Sequence, residues 1–205
     1  IPFSRAGSSI LEWTYGYLSH QHILALESMK SSQLKPDLFL WHQGEADSRR
    51  NIFPRDLLKV PTNHSPDPNK FKLGISSDVY QDSLNIIHKR ILRYFPDAYF
   101  GIALVSSCQD WQWEPVRSAQ RTFAEKAFRA FVSADSDSIK GFENRYDGCH
   151  FSDKGAVKLS SMYFRFNQEK SKEFIRIAQG QRLQLLKLLL LSLIHISEPT
   201  RRITI

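Results

Sequence analysis

A chain of 205 residues with 41% hydrophobic and 24% charged side chains is long enough for one domain with a proper core, and its proportions are ordinary for a globular protein. The formal charge of +7 suits an acidic partner, but the basic residues are scattered and Arg49-Arg50 is only a pair, so no nucleic-acid partner is expected. The one long apolar run, Leu183 to Leu193, is broken by Gln184, Lys187 and Ser192 and is too short to span a bilayer.

In chain order, Ile1-Pro2-Phe3-Ser4 reads as the end of a strand. Gly7-Ser8-Ser9 has two readings: a serine nucleophile on a strand-to-helix turn, or Gly7 as a backbone N–H donor with the serines capping the turn. Leu18 to Lys30 reads as a helix that Ser31-Ser32 and Pro36 terminate. His20 and His22 lie on it, and solvated histidines are commoner there than metal ligands. Leu38 to Trp41 is a short apolar run bounded by Pro36 and Gly44, the pattern of a parallel strand buried on both faces. Gln43, Glu45 and Asp47 follow, where ligands bind in open α/β sheets, though a turn with a helix cap would look the same.

Between Ser48 and Ser77, Pro54, Pro61, Pro66 and Pro68 mark a long loop that either walls a cleft or is a mobile insertion. Asp78 is placed to cap a helix whose apolar face is Tyr80, Leu84, Ile87, Ile91 and Tyr94, and Pro96 stops it. Ala98 to Val105 is the clearest buried strand, with Ser106 to Asp110 at its carboxyl end. Trp111 and Trp113 suit either packing or sugar stacking. Pro115 opens a helix lined by Val116, Ala119, Phe123, Ala127 and Ala130. Asp135 to Ser138 is a turn, and Ile139 to Glu143 suits a last short strand. Ser152 or Asp153 caps a final helix carrying Ala156, Leu159 and Tyr163. This alternation predicts βαβ units and a parallel sheet. Cys108 and Cys149 lie far apart, show no metal-ligand spacing and do not settle the redox compartment.

Two polar clusters carry chemistry: Trp41-His42-Gln43-Gly44-Glu45-Ala46-Asp47, and Arg145-Tyr146-Asp147-Gly148-Cys149-His150. An imidazole takes and returns a proton near neutral pH, and a carboxylate three residues away can fix its tautomer, so Asp147 and His150 suit the orienting acid and the base of a hydrolase. A turn with a capping acid and a solvated histidine is the plain alternative. Glu45 and Asp47 as a carboxylate pair for glycoside hydrolysis would leave His150 without a role. No phosphate loop or zinc pattern is present, and no cofactor or metal is expected.

At these clusters the chain resembles the SGNH hydrolase superfamily, and within it the sialate O-acetylesterase-like carbohydrate esterases. Their His-Gln-Gly-Glu-x-Asp and Asp-x-x-His blocks occur here in the expected order, and Gly7-Ser8-Ser9-Ile10-Leu11-Glu12-Trp13 is similar to the block between the nucleophile and the central strand. The resemblance covers roughly Ser4 to Phe164. It implies a three-layer α/β/α sandwich with a parallel sheet (SGNH or flavodoxin-like) and an esterase acting on an acetylated glycan. It makes Asp147 and His150 catalytic, Gly7 and Gln43 oxyanion donors, and Glu45 and Asp47 supports for Gln43 or for the following helix. The nucleophilic serine then belongs to an earlier block, so the chain is expected to be a fragment without its first strand. A catalytically inactive glycan-binding domain is the alternative. Leu191 to Arg201 resembles the translation of a common sequencing-library adapter, so 1–190 is taken as the esterase domain and 191–205 as a non-native tail. With Ile1 in place of Met no signal peptide can be judged, and the compartment and oligomeric state stay open.

Overall fold

The computed structural model describes residues 3–48, 74–108 and 112–165. The chain divides into two compact units, Ile1–Tyr163 and Phe164–Ile205, and all that follows concerns the first. Most of the proline-rich loop, Trp111, residues 166–190 and the adapter-like tail lie outside the described residues.

Helix α1 (Ile10–Thr14) begins at a capping box: the Ser9 hydroxyl accepts from Leu11 N, and the Glu12 carboxylate accepts from Ser9 N. Helix α2 (Tyr17–Ser31) leads to strand β1 (Leu38–Trp41), and the short α3 (Glu45–Ser48) follows. Helix α4 (Ser77–Tyr94) is capped by Ser76, whose hydroxyl accepts from Val79 N, rather than by Asp78. Strand β2 (Tyr99–Leu104), helix α5 (Glu114–Lys126) and strand β3 (Ala130–Asp135) come next, and a helix begins at residue 153. Among the described residues no helix is long and apolar enough to cross a membrane.

The third strand corrects the sequence reading, which continued the α5 helix to Ala130 and placed a strand at Ile139 to Glu143. The helix stops at Lys126, and Arg129 turns the chain in the left-handed region at φ 55°. Ala130-Phe131-Val132-Ser133-Ala134-Asp135 then pairs with β2. Its small and polar residues disguise a strand, yet they suit the interior of a parallel sheet, where Ser133 is fully buried. Gly141, at φ 91°, bends the expected strand into a turn.

The sheet has order β1-β2-β3 and is parallel throughout. Phe39, Trp41, Phe100, Ile102 and Val132 share the face that packs with Ile10, Leu26, Tyr80, Leu84, Ile87, Ile91, Val116 and Phe123 in one core. The periodic apolar faces of α4 and α5 are therefore buried on the sheet, as their spacing predicts.

One cation ties the amino-terminal helices to α4. The Arg90 guanidinium donates to the carbonyls of Trp13 and Thr14 and to the Ser19 hydroxyl, and it lies 3.3 Å from His22 Nδ1. His20 is exposed, as a solvated helix histidine should be, but His22 is buried against Trp13 and Phe3. Burial first, and the Arg90 charge second, pull His22 down to about 4. The unfolded chain then binds a proton that the folded chain refuses between about pH 6.5 and 4. Stability should fall as the pH drops through that window, by on the order of 3 kcal/mol in total. Denaturant unfolding at pH 7, 5 and 4 measures it, and His22→Gln should remove this part of the slope.

Candidate active site

Two groups of side chains meet at the carboxyl edge of the sheet. The first follows β1. Gly44 passes so close to the end of β2 that a Cβ would lie 1.9 Å from the Val105 carbonyl oxygen, which only glycine permits. Gln43 beside it is buried, and its side-chain amide is fully engaged. Nε2 donates to Ser8 O at 3.0 Å and to Asp47 Oδ2 at 2.6 Å, while Oε1 accepts from the Tyr80 hydroxyl at 3.0 Å. These partners fix the amide orientation, because a flipped amide would set oxygen against the Asp47 carboxylate and the Ser8 carbonyl. Asp47 is wholly buried and also accepts from the Ser9 hydroxyl at 2.6 Å and from Ile10 N at 2.8 Å. It thereby fastens the start of α1 to the loop after β1. Gly7 precedes Ser8, is exposed, and sits at φ 67°, a left-handed conformation that favours glycine. The structure thus brings Gly7, Gln43 and Asp47 to one place.

Glu45 does not join them. Its carboxylate faces His42 at 3.7 Å, and His42 Nδ1 lies 2.8 Å from the Tyr163 hydroxyl. Burial alone would raise the Glu45 pKa, but hydrogen bonding and charge from His42, its own backbone and the Arg145 charge together hold it below the usual value. Burial, and then the Glu45 charge, push the Tyr163 phenol well above its ordinary range, so it remains a donor.

The second group follows β3. The loop from Ile139 to Phe151 folds back on itself: Arg145 and Phe151 form an antiparallel bridge, and Tyr146 N donates to His150 O. The Arg145 guanidinium is buried beneath it. It donates to the carbonyls of Ile139 at 2.9 Å, Cys149 at 2.5 Å, Ser136 at 2.8 Å and Ser107 at 3.4 Å, and lies over the Phe151 ring. A disulfide between Cys108 and Cys149 joins this loop to the one that leaves β2. The two cysteines are 41 residues apart, so sequence gave no sign of the pairing beyond their even number.

At the tip of the loop, His150 Nδ1 donates to Asp147 Oδ2 at 2.6 Å. Asp147 Oδ1 accepts from the backbone N–H groups of His150 at 2.7 Å and Cys149 at 2.9 Å. The His150 ring bond and these two amides hold the Asp147 carboxyl far below the usual carboxylate range, so it is ionised at any working pH. A carboxylate on Nδ1 leaves Nε2 as the basic nitrogen, and the imidazole is well exposed, stacked on Tyr146 at 5.9 Å. The two groups touch through neighbours rather than directly: the His42 ring, next to Gln43, packs edge-on against Phe151, next to His150.

Both serines of the Gly7-Ser8-Ser9 turn are spent. The Ser8 hydroxyl donates to Arg5 O and accepts from Trp13 Nε1, while that of Ser9 donates to Asp47. Sequence reasoning missed Gln120, a fully buried amide on the apolar face of α5 that bonds both backbone groups of Val105 and the Gln43 carbonyl. A lone glutamine among Val116, Ala119 and Phe123 was its signal. It likewise missed Tyr80 as a polar partner, although its hydroxyl donates to Gln43 O at 2.5 Å. No group of metal-ligating side chains occurs among the described residues.

A family model described as carbohydrate esterase, sialic acid-specific acetylesterase, matches residues 1–168. No curated protein matches the chain. The X-ray structure of an Arabidopsis thaliana protein is similar at a TM-score of 0.54 and 17% identity, over 79% of this chain and 57% of that one. The chain therefore spans little more than half of that protein, and the likeness shows a shared fold, in keeping with an SGNH-like α/β architecture.

Two consequences of this scaffold can be measured. Arg145→Met leaves several buried carbonyls without a donor and should cost on the order of 3 kcal/mol in denaturant unfolding, with loss of hydrogen-exchange protection across 145–151. Reducing the disulfide removes a covalent link across 41 residues and should cost about 4 kcal/mol. The paired Cys108→Ala, Cys149→Ala variant should show that loss already and be insensitive to reductant.

Proposed function

The chain belongs to the sialic acid-specific acetylesterase family of carbohydrate esterases, and from that premise we propose that it removes O-acetyl groups from a glycan through a serine–histidine–aspartate relay. The observation that carries the reading is the Asp147–His150 pair, held at 2.6 Å with Nε2 left basic. In this reading a serine hydroxyl attacks the acetyl carbonyl and gives its proton to His150 Nε2. Asp147 stabilises the imidazolium, which then protonates the departing sugar oxygen. A water molecule repeats the sequence on the acetyl-enzyme and releases acetate.

Gly7 N–H and Gln43 Nε2 are the proposed oxyanion donors, each worth ~3 kcal/mol to the transition state. Gln43 takes up that role by exchanging its bond to the Ser8 carbonyl for one to the oxyanion, while Asp47 keeps the amide oriented. Glu45 acts at a remove, by holding His42 against Phe151.

The proposed nucleophile is a serine outside this chain, on a strand laid beside β1. Two observations support that. Both nearby serine hydroxyls are engaged elsewhere. A groove of about 790 Å³, lined by Phe3, Met29, Leu38, Leu40 and Trp41, runs along β1, which is an edge strand among the described residues. The same engagement of Ser8 and Ser9 favours a second reading, a glycan-binding domain without turnover.

Acetate release from an aryl acetate and from an O-acetylated sugar tests both. The 205-residue chain should reach at most ~10³–10⁴-fold over water, the residue left when a triad member is absent. Robust turnover lost in both His150→Ala and one of Ser8→Ala or Ser9→Ala would place the nucleophile in this turn instead. Adding a preceding segment with a Gly-x-Ser turn should raise turnover in the esterase reading and leave it flat in the binding reading.

A further inference from the structure

The first polar cluster holds a histidine beside Gln43, and the proposed chemistry moves no proton through it. The His42 side chain meets neighbours from three other places in the chain. Its Nδ1 lies 2.8 Å from the Tyr163 hydroxyl, on the helix that begins at residue 153. Its Nε2 lies 3.7 Å from the Glu45 carboxylate, and its ring packs edge-on against Phe151 at 6.2 Å.

Two of these neighbours select the same tautomer. Burial, and then the Glu45 charge, keep the Tyr163 phenol protonated, so its hydroxyl donates to Nδ1. In the neutral ring the proton then lies on Nε2, where it faces the ionised Glu45 carboxylate. With both nitrogens addressed, the plane of the ring is set.

The third neighbour, Phe151, is the residue after His150. It is held from several directions. The Arg145 guanidinium lies 4.1 Å from its ring centre, and the two residues also pair through their backbones. The start of the final helix is pressed close: a Cβ on Gly155 would stand 3.1 Å from Phe151 Cδ1 and 2.0 Å from Asn144 O. About two turns later the same helix carries Tyr163. One helix thus touches the His150 loop at its start and reaches His42 further on. The His42 contact is what joins that loop to the segment that carries Gln43.

We propose that Tyr163 and His42 are positioning residues for the base. The Tyr163 hydroxyl fixes the His42 ring, the ring braces Phe151, and Phe151 sets where the His150 imidazole stands relative to Gln43. The final helix then belongs to the site without contributing a reacting group. The proposal rests on the esterase reading for the role of His150 as a base.

The test is the long-range ¹H–¹⁵N correlation spectrum of the histidine rings in the 205-residue protein, recorded at pH 8, above the usual imidazole value of about 6.5. His42 should show its proton on Nε2 and His150 on Nδ1. Tyr163→Phe removes one hydroxyl and keeps the ring, so the fold is not at stake. It should turn His42 into a mixture of tautomers and lower the Nδ1–H to Nε2–H ratio of His150 about threefold, the size expected for coupled neighbours. His20 is exposed, lies outside these contacts and should not move. His42→Phe keeps a ring against Phe151 but loses both polar partners, and should reproduce the His150 change. Combining the two substitutions should add nothing further, because they act through one contact. A His42 tautomer unaltered by Tyr163→Phe, or a His150 ratio unmoved in either variant, would overturn the proposal. Acetate release on adding a preceding Gly-x-Ser segment tests the esterase reading separately. Rising turnover there with an unmoved ratio here removes the positioning role and leaves the esterase. A moved ratio here with flat turnover there does the reverse.

Discussion

Past the ends of its strands this protein still buries its backbone, and buried N–H and C=O groups need partners. The sheet ladder cannot supply them there. Four side chains do so instead. Asp47 takes the first amide of α1, Gln120 takes both groups of Val105, Asp137 takes the amides of Ser106 and Ser107, and Arg145 satisfies the carbonyls of Ser107 after β2 and of Ser136, Ile139 and Cys149 after β3. The first three come from elements other than the backbone they serve, and Arg145 ties its own loop to the one that leaves β2. The carboxyl edge of the sheet is therefore cross-linked by side chains, and the loops that carry the candidate site have few ways to move independently.

That explains a contrast within the site. Asp47, Asp137 and Arg145 are buried and structural, whereas Asp147 and His150 stand in solvent. An exposed hydrogen-bonded side-chain pair is ordinarily worth little and is poorly fixed. Here the loop fixes it: two backbone amides hold the carboxylate, and a buried guanidinium and a disulfide hold the loop. The imidazole can then face solvent and substrate while its orientation is set from below.

The amino-terminal side of the site is assembled by the same logic. Ser8 and Ser9 serve the fold, one bracing Trp13 and Arg5 and the other Asp47, which leaves Gly7, at φ 67°, as the exposed member of its turn. Gln43 is poised by Asp47 and Tyr80 on either side of its amide. Tyr80 is itself kept protonated, first by burial and then by the Asp47 charge, so it must donate to Gln43.

The sequence by itself determined the elements whose signals are local. The apolar run Leu38–Trp41, the buried run of β2, the periodic face of α4 and the paired blocks at Gln43 and His150 were all legible, because period, propensity and a three-residue spacing need no knowledge of the rest of the chain. Even the glycine of the first block was visible, though not the reason for it, which is the Val105 carbonyl 1.9 Å from where its Cβ would be. What depends on distant partners was decided only by the tertiary structure. Ala130–Asp135 is a strand because β2 accepts it, and Ser133 suits it because that position is buried. Glu45 and Asp47, two residues apart and alike in sequence, part company because one meets His42 and the other the start of α1. Cys108 finds Cys149, and Arg145 finds four carbonyls, through contacts that span loops and strands. A pairing that costs chain entropy to form leaves no periodic trace in the sequence, so it becomes visible only once the sheet has brought its ends together.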